Sequence, residues 1–284
     1  MKNTRADNSQ GKRSPVWIVL FVVCCIIIVF VIGALVLHKF GEKHLDDILE
    51  SAVKKTDTVL SDETTDAPAD DGSDSISNVT DEYSDSIKDE IVSIDFDMLR
   101  ETAPDVYAWI EIPGTRVSFP IVQHPDDNGY YVRRSITGAR DVTGCIFTEN
   151  YNSTDFEDKN TLIYGHYMSD GTKFGSLLKY MDRDYFDSYR DIVIYTDTHR
   201  LEYKIFAAVP FDTRHVLRSY AVYENGFEMF LENVNECEDP RAVFADDISV
   251  DPEKDRIITL STCLKTNAKR YLVLAVLTRS QYCE

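Results

Sequence analysis

The chain has 284 residues, 49 of them acidic and 30 Lys or Arg, and a formal charge of −19. A nucleic-acid backbone needs a basic face opposite its phosphates, so nucleic acid is excluded as a partner. Much of the charge is local: 15 acidic residues and three lysines lie between Asp46 and Glu90.

The first predicted element is a helix. Val16 to Leu37 holds no charged residue and is rich in Val, Ile, Leu and Phe. As a helix it would be about 33 Å long, enough to cross a hydrocarbon core. Lys2, Arg5, Lys12 and Arg13 precede it and the chain beyond Lys43 turns acidic. The positive-inside rule then puts residues 1–15 in the cytoplasm and everything after a 16–38 signal anchor outside the cell. A cleaved signal peptide would have a shorter apolar stretch followed by a small-residue cleavage site, and none is evident here.

Residues 39–92 are expected to form an acidic, disordered linker. The Ser/Thr/Asp-rich stretch from Asp62 to Asp89 has too few apolar residues to offset the entropy of ordering. Residues 93–284 should be the folded domain, long enough for one well-buried core. A short helix carrying Phe96, Leu99 and Arg100 should end before Pro104. From there the pattern is β. Candidate strands are Tyr107–Ile112, Val117–Gln123, Gly144–Glu149, Thr161–Tyr164, Ile192–Thr196, Glu202–Phe211, Arg256–Cys263 and Arg270–Thr278, separated by turn signals such as Pro113-Gly114 and Asp127-Asn128-Gly129. Phe174–Met181 and Gly226–Asn235 have apolar residues at helical spacing. Eight short strands with a few inserted helices predict a mainly β fold, a closed or nearly closed barrel.

Six cysteines are present, without the CxxC, HExxH or clustered His/Cys spacing of a metal site. Cys24 and Cys25 fall in the apolar run. Cys263 differs from the others because it ends a strand-like run, while Arg270 opens the next one. A thiol gains reactivity where a cation favours the thiolate, and a guanidinium can also hold an oxyanion. Taken alone, such a cysteine is more often inert packing; its local sequence argues otherwise. His166 follows Leu162-Ile163-Tyr164-Gly165, a strand-like run ending in a glycine that delivers an imidazole into a loop, where it could give and take a proton. His124, in a Pro/Asp turn, and His215, among arginines, have no such delivery and rank below it.

His166 after Ile-Tyr-Gly, then Thr259-Leu260-Ser261-Thr262-Cys263, then Arg270 on the next strand, resembles the sortases, specifically class B. Trp109 to Thr115, Phe119 to Gln123, Asn128 to Tyr131 and Gly144 to Phe147 resemble class B segments in the same order. The order also separates the chain from papain-like peptidases, whose cysteine precedes the histidine. The resemblance implies an eight-stranded sortase-type barrel and a cysteine transpeptidase. In it Cys263 would attack a carbonyl in the C-terminal sorting signal of an exported protein, with His166 as proton carrier and Arg270 as oxyanion or substrate holder. An amine of a peptidoglycan precursor would resolve the thioacyl enzyme; the partners are thus exported proteins, that amine and the membrane. No metal or organic cofactor is implied.

By the same resemblance Ser261, Thr262, Asn128, Val132 and Tyr167 are candidate substrate contacts, and the Phe211–Pro252 segment forms one groove wall. Tyr167 stands where class B often has asparagine. Cys145 occupies a position usually held by a small residue and is expected to be packing. The stretch from Cys263 to Arg270 is short for the class. Two other readings remain: a pilin polymerase accepting a pilin lysine, and a non-catalytic binding barrel with Cys263 buried.

Overall fold

The computed structural model describes residues 15–56, 91–263 and 269–283. The chain divides into two compact units, Met1–Ser51 and Ala52–Glu284. The described residues of the first lie in one helix, α1 (Pro15–Ala52), whose described side chains from Val19 to Ile32 are exposed. Among the described residues no helix is long and apolar enough to cross a membrane.

Order begins earlier than the expected linker boundary allows. Helix α1 runs on to Ala52 because Leu45, Ile48, Leu49 and Ala52 recur at helical spacing, and these are its buried or half-buried positions. Strand β1 (Val53–Thr56) then pairs antiparallel with β2 (Ile91–Ile94). Both ends of residues 39–92 are therefore regular structure, and the stretch between them, 57–90, lies outside the described residues.

Asp95 caps the helix α2 (Phe96–Thr102), its carboxylate accepting from Met98 N at 3.0 Å. The barrel follows. Its strands are β3 (Val106–Glu111), β4 (Ser118–Val122), β5 (Ile146–Thr148), β6 (Asn160–Tyr164), β7 (Asp191–Thr196), β8 (His199–Phe211), β10 (Ile257–Cys263) and β11 (Arg270–Tyr282), with the two-residue β9 (Val243–Phe244) on the edge of β8. The order is β11-β10-β6-β5-β4-β3-β7-β8, and β8 pairs with β11, which closes the ring. All eight predicted strands are present. β8 and β11 are longer than expected because each pairs along its whole length with the other, from Arg270 opposite Phe211 to Tyr282 opposite His199.

Strand alternation sorts the apolar side chains into two cores. Ile110, Ile121, Ile163, Ile194, Ile258, Leu260, Tyr271 and Val273 belong to the first, which fills the barrel. Leu162, Val209, Ile257, Leu272 and Leu274 point outward into the second. There they meet the chain between β8 and β10, which carries α4 (Val216–Tyr220) and α5 (Gly226–Asn235). The helix α5 has its predicted bounds. The Phe174–Met181 helix is a 3-10 turn over Gly175–Met181. It is followed by α3 (Arg183–Ser188); α3 and α4 were not predicted.

Candidate active site

Three strand ends meet at one rim of the barrel. β6 and β10 run parallel, Tyr164 opposite Ser261, and Gly165 N donates to Ser261 O at 3.1 Å. His166 is the second residue past the end of β6, as Cys263 is the second past Ser261 on β10. On its other edge β10 pairs Cys263 with Arg270 and Ser261 with Leu272. Positions 261, 263, 270 and 272 therefore share the outer face of the barrel, since paired residues of antiparallel strands lie on the same side.

The imidazole is held by shape as well as by sequence. His166 Nε2 lies 2.7 Å from Val132 O; a carbonyl only accepts, so Nε2 carries a hydrogen and Nδ1 is left for proton exchange. Gly144 has φ +59°, and a Cβ there would stand 2.5 Å from Val132 O and 3.0 Å from the His166 ring. Only glycine fits. Gly165 is bare for a different reason: a Cβ would come within 2.5 Å of the Phe174 ring and 2.6 Å of Ile146. Phe174 N in turn donates to His166 O at 3.1 Å.

A cleft of about 290 Å³ opens on this outer face, lined by His166, Arg270 and Ser261 together with Asn128 and Val132. Five of the predicted site residues thus line one cavity, and the register brings position 263 to its edge. Two do not. Thr262 faces the barrel interior, fully buried, because it alternates with Ser261; its expected contact with substrate is corrected on that ground. Tyr167 is absent from the lining and instead bridges to Lys173 across the turn after β6. Asn128 has a framework task too, accepting from Asn150 N at 2.8 Å.

The floor of the cleft went unread in the sequence. Glu149 accepts from the Tyr164 hydroxyl at 3.1 Å, and His215 Nε2 stands 2.6 Å from the same carboxylate oxygen, an ion-pair distance without the alignment of a hydrogen bond. Burial first, then the Glu149 charge, raises the Tyr164 hydroxyl well above its ordinary range, while Arg270 pulls it the other way. Thr213, Arg214 and Val216 complete the opposite wall. His215, ranked low beside His166, is therefore part of the cleft. Glu149 ends a predicted strand, as His166 follows one, and that was the available cue.

The rival side chains separate cleanly. His124 accepts from Asp126 N and Asp127 N at 3.2 and 3.0 Å, which makes it a turn cap. Cys145 is buried, its thiol donates to Arg134 O at 3.0 Å, and burial pushes it up to about 12. It is packing, as expected. Among the described residues no group of three or more His, Cys, Asp or Glu side chains could hold a metal ion.

Comparison with known proteins agrees with this architecture. The model of the sortase domain matches residues 110–278, the span that holds His166, Cys263 and Arg270. The chain belongs to the sortase family. Sortase B of Listeria monocytogenes is 32% identical over 187 residues, covering 66% of this chain and 70% of that protein. The crystal structure of sortase B from Bacillus anthracis in complex with AAEK2 superposes with a TM-score of 0.57 at 30% identity, over 66% of this chain and 83% of that one. A Streptococcus pyogenes class B sortase involved in pilus biogenesis gives 0.55 at 27%, over 65% and 98%. The barrel is that of class B, and this sortase is accordingly a cysteine transpeptidase.

Proposed function

We propose that this sortase cuts the C-terminal sorting signal of exported proteins and joins them to an amine of a peptidoglycan precursor. The observation that supports the reading is a cleft lined by both His166 and Arg270, with Arg270 paired to Cys263 across β10 and β11. Cys263, as thiolate, adds to the signal's scissile carbonyl, and the Arg270 guanidinium holds the oxygen that becomes negative. The C–N bond then breaks, and the leaving amine takes a proton from His166 Nδ1, leaving a thioester. The acceptor amine attacks that thioester, passes a proton back to Nδ1, and the C–S bond breaks to restore the thiolate.

In this reading residues 16–38 are a single-pass anchor with the N-terminus cytoplasmic and the catalytic domain outside. Acceptance of a pilus-subunit lysine is the second reading, favoured by the likeness to the Streptococcus pyogenes enzyme. The test is turnover by the full-length chain in detergent micelles of a library of quenched sorting-signal peptides. Cleavage is expected from the wild type and a ligated product when a peptidoglycan-type amine is added; Cys263→Ala should give neither. Peptide turnover that survives in Cys263→Ala overturns the assignment, and ligation only to pilin lysines moves it to the second reading.

A further inference from the structure

Next to the active-site cleft lies a larger one, of about 530 Å³, and the same three segments line both. Along β6 the lining passes from Tyr164 and Leu162 in the first cleft to Asn160 in the second. After β5 it passes from Glu149 to Tyr151 and Asn152. On α4 it passes from His215 to Leu217 and Tyr220, with Val216 in both. Tyr151 sets its edge against the His215 ring, centroids 5.5 Å apart, at the junction. The two clefts adjoin at Val216, and the second lies further back alongside β6, in the direction away from the reactive rim.

That direction decides what fills the second cleft. In a transpeptidation the leaving amine and the incoming amine exchange beside the proton carrier, so that side must stay open. The acyl part is held throughout, and a built cleft suits it. From Tyr164 to Asn160 an extended strand covers about 13 Å, and from His166 the distance is about 20 Å. A bound peptide running from one cleft to the other over the shared wall at Val216 therefore needs about six residues to reach the second. The acyl side of a short sorting signal ends before that.

We propose that the second cleft is a subsite for the segment of the exported protein just ahead of its sorting signal, and that it takes an aromatic or large aliphatic side chain about five or six residues before the scissile bond. The lining fits such a group: Tyr220, Tyr223, Phe227 and Phe230 supply rings. Tyr151 and Tyr223, each about half-exposed at 52%, stand uncovered as its rims. This inference rests on the transpeptidase reading and extends its substrate.

The experiment uses the full-length chain and three peptides that share one cleavable signal: unextended, preceded by a Gly-Ser repeat, or preceded by that repeat with a single Phe six residues before the cut. The wild type should favour the Phe peptide over the Gly-Ser peptide about tenfold in kcat/KM, the effect of half-burying one ring. Tyr223→Ala, which removes a rim, and Ala221→Trp, which fills the cleft from an exposed position, should each abolish that preference and leave the unextended peptide cleaved at the wild-type rate. Equal rates for all three peptides in the wild type, or a preference that survives both substitutions, overturn the proposal. A change confined to the dependence on acceptor amine also overturns it and gives the cleft to the acceptor. Failure to cleave even the unextended peptide would instead refute the transpeptidase reading.

Discussion

Strand β10 presents one side to the barrel interior and the other to the outer groove, and the two sides obey different rules. Inward, Ile258, Leu260 and Thr262 are fully buried, and Ile258 and Leu260 pack in the barrel core. Outward, the strand starts under the helices with Ile257, passes Thr259, whose hydroxyl donates to Asn160 at 2.8 Å, and reaches the cleft at Ser261. The inward face fixes the register because a slip of one residue would turn every apolar side chain to the wrong side. With register pinned there, the outward face can carry polar groups where it reaches the rim. A reactive rim can be built on a rigid wall.

That contrast can be broken from either side. The largest effect is expected for His166→Ala, which should lower kcat/KM about 10³-fold while circular dichroism and melting temperature stay at wild-type values. Leu260→Ala attacks the inner face instead: it should cost about 2–5 kcal/mol of stability, seen in chemical denaturation, with activity per folded molecule kept. Loss of activity without loss of stability there would mean the two faces are not separable.

Gly144→Ala tests how far backbone shape serves the outer face. The added carbon meets Val132 O and the His166 ring, so about 1–3 kcal/mol of strain and a clear fall in kcat are expected together. Glu149→Gln should lower kcat/KM several-fold, about 1 kcal/mol, with little change in melting temperature. The smallest expected change is in labelling. Iodoacetamide at pH 8 should modify Cys263 quickly and Cys145 hardly at all, read by peptide mass spectrometry. The sign follows from burial: the Cys145 thiol is raised from 9.0 to about 12, so it stays protonated, and its share of stability is present below about pH 9 and lost as pH climbs toward 12.

Every barrel strand was legible because each is an apolar run bounded by turn residues, a signal that needs no partner to be seen. The placement of His166, Cys263 and Arg270 at or just past strand ends was legible from the apolar runs beside them. Thr262 was misplaced although alternation with Ser261 would have turned it inward. The carboxylate of Glu149 and the ring of His215 come together only when two distant loops fold over β6, and no periodicity announces that. Helices α3 and α4, of six and five residues, are too short for a helical repeat to register. The pairing of β1 with β2 joins segments far apart in the chain, with nothing local to mark it.

Arg270 opens β11, the last strand, and β11 also closes the ring by pairing with both β8 and β10. The guanidinium thus arrives on the same piece of chain that seals the barrel. Until β11 has emerged, Arg270 cannot be paired beside Cys263, and sheets closed by such remote partners form slowly. The barrel therefore cannot close until β11 has been made.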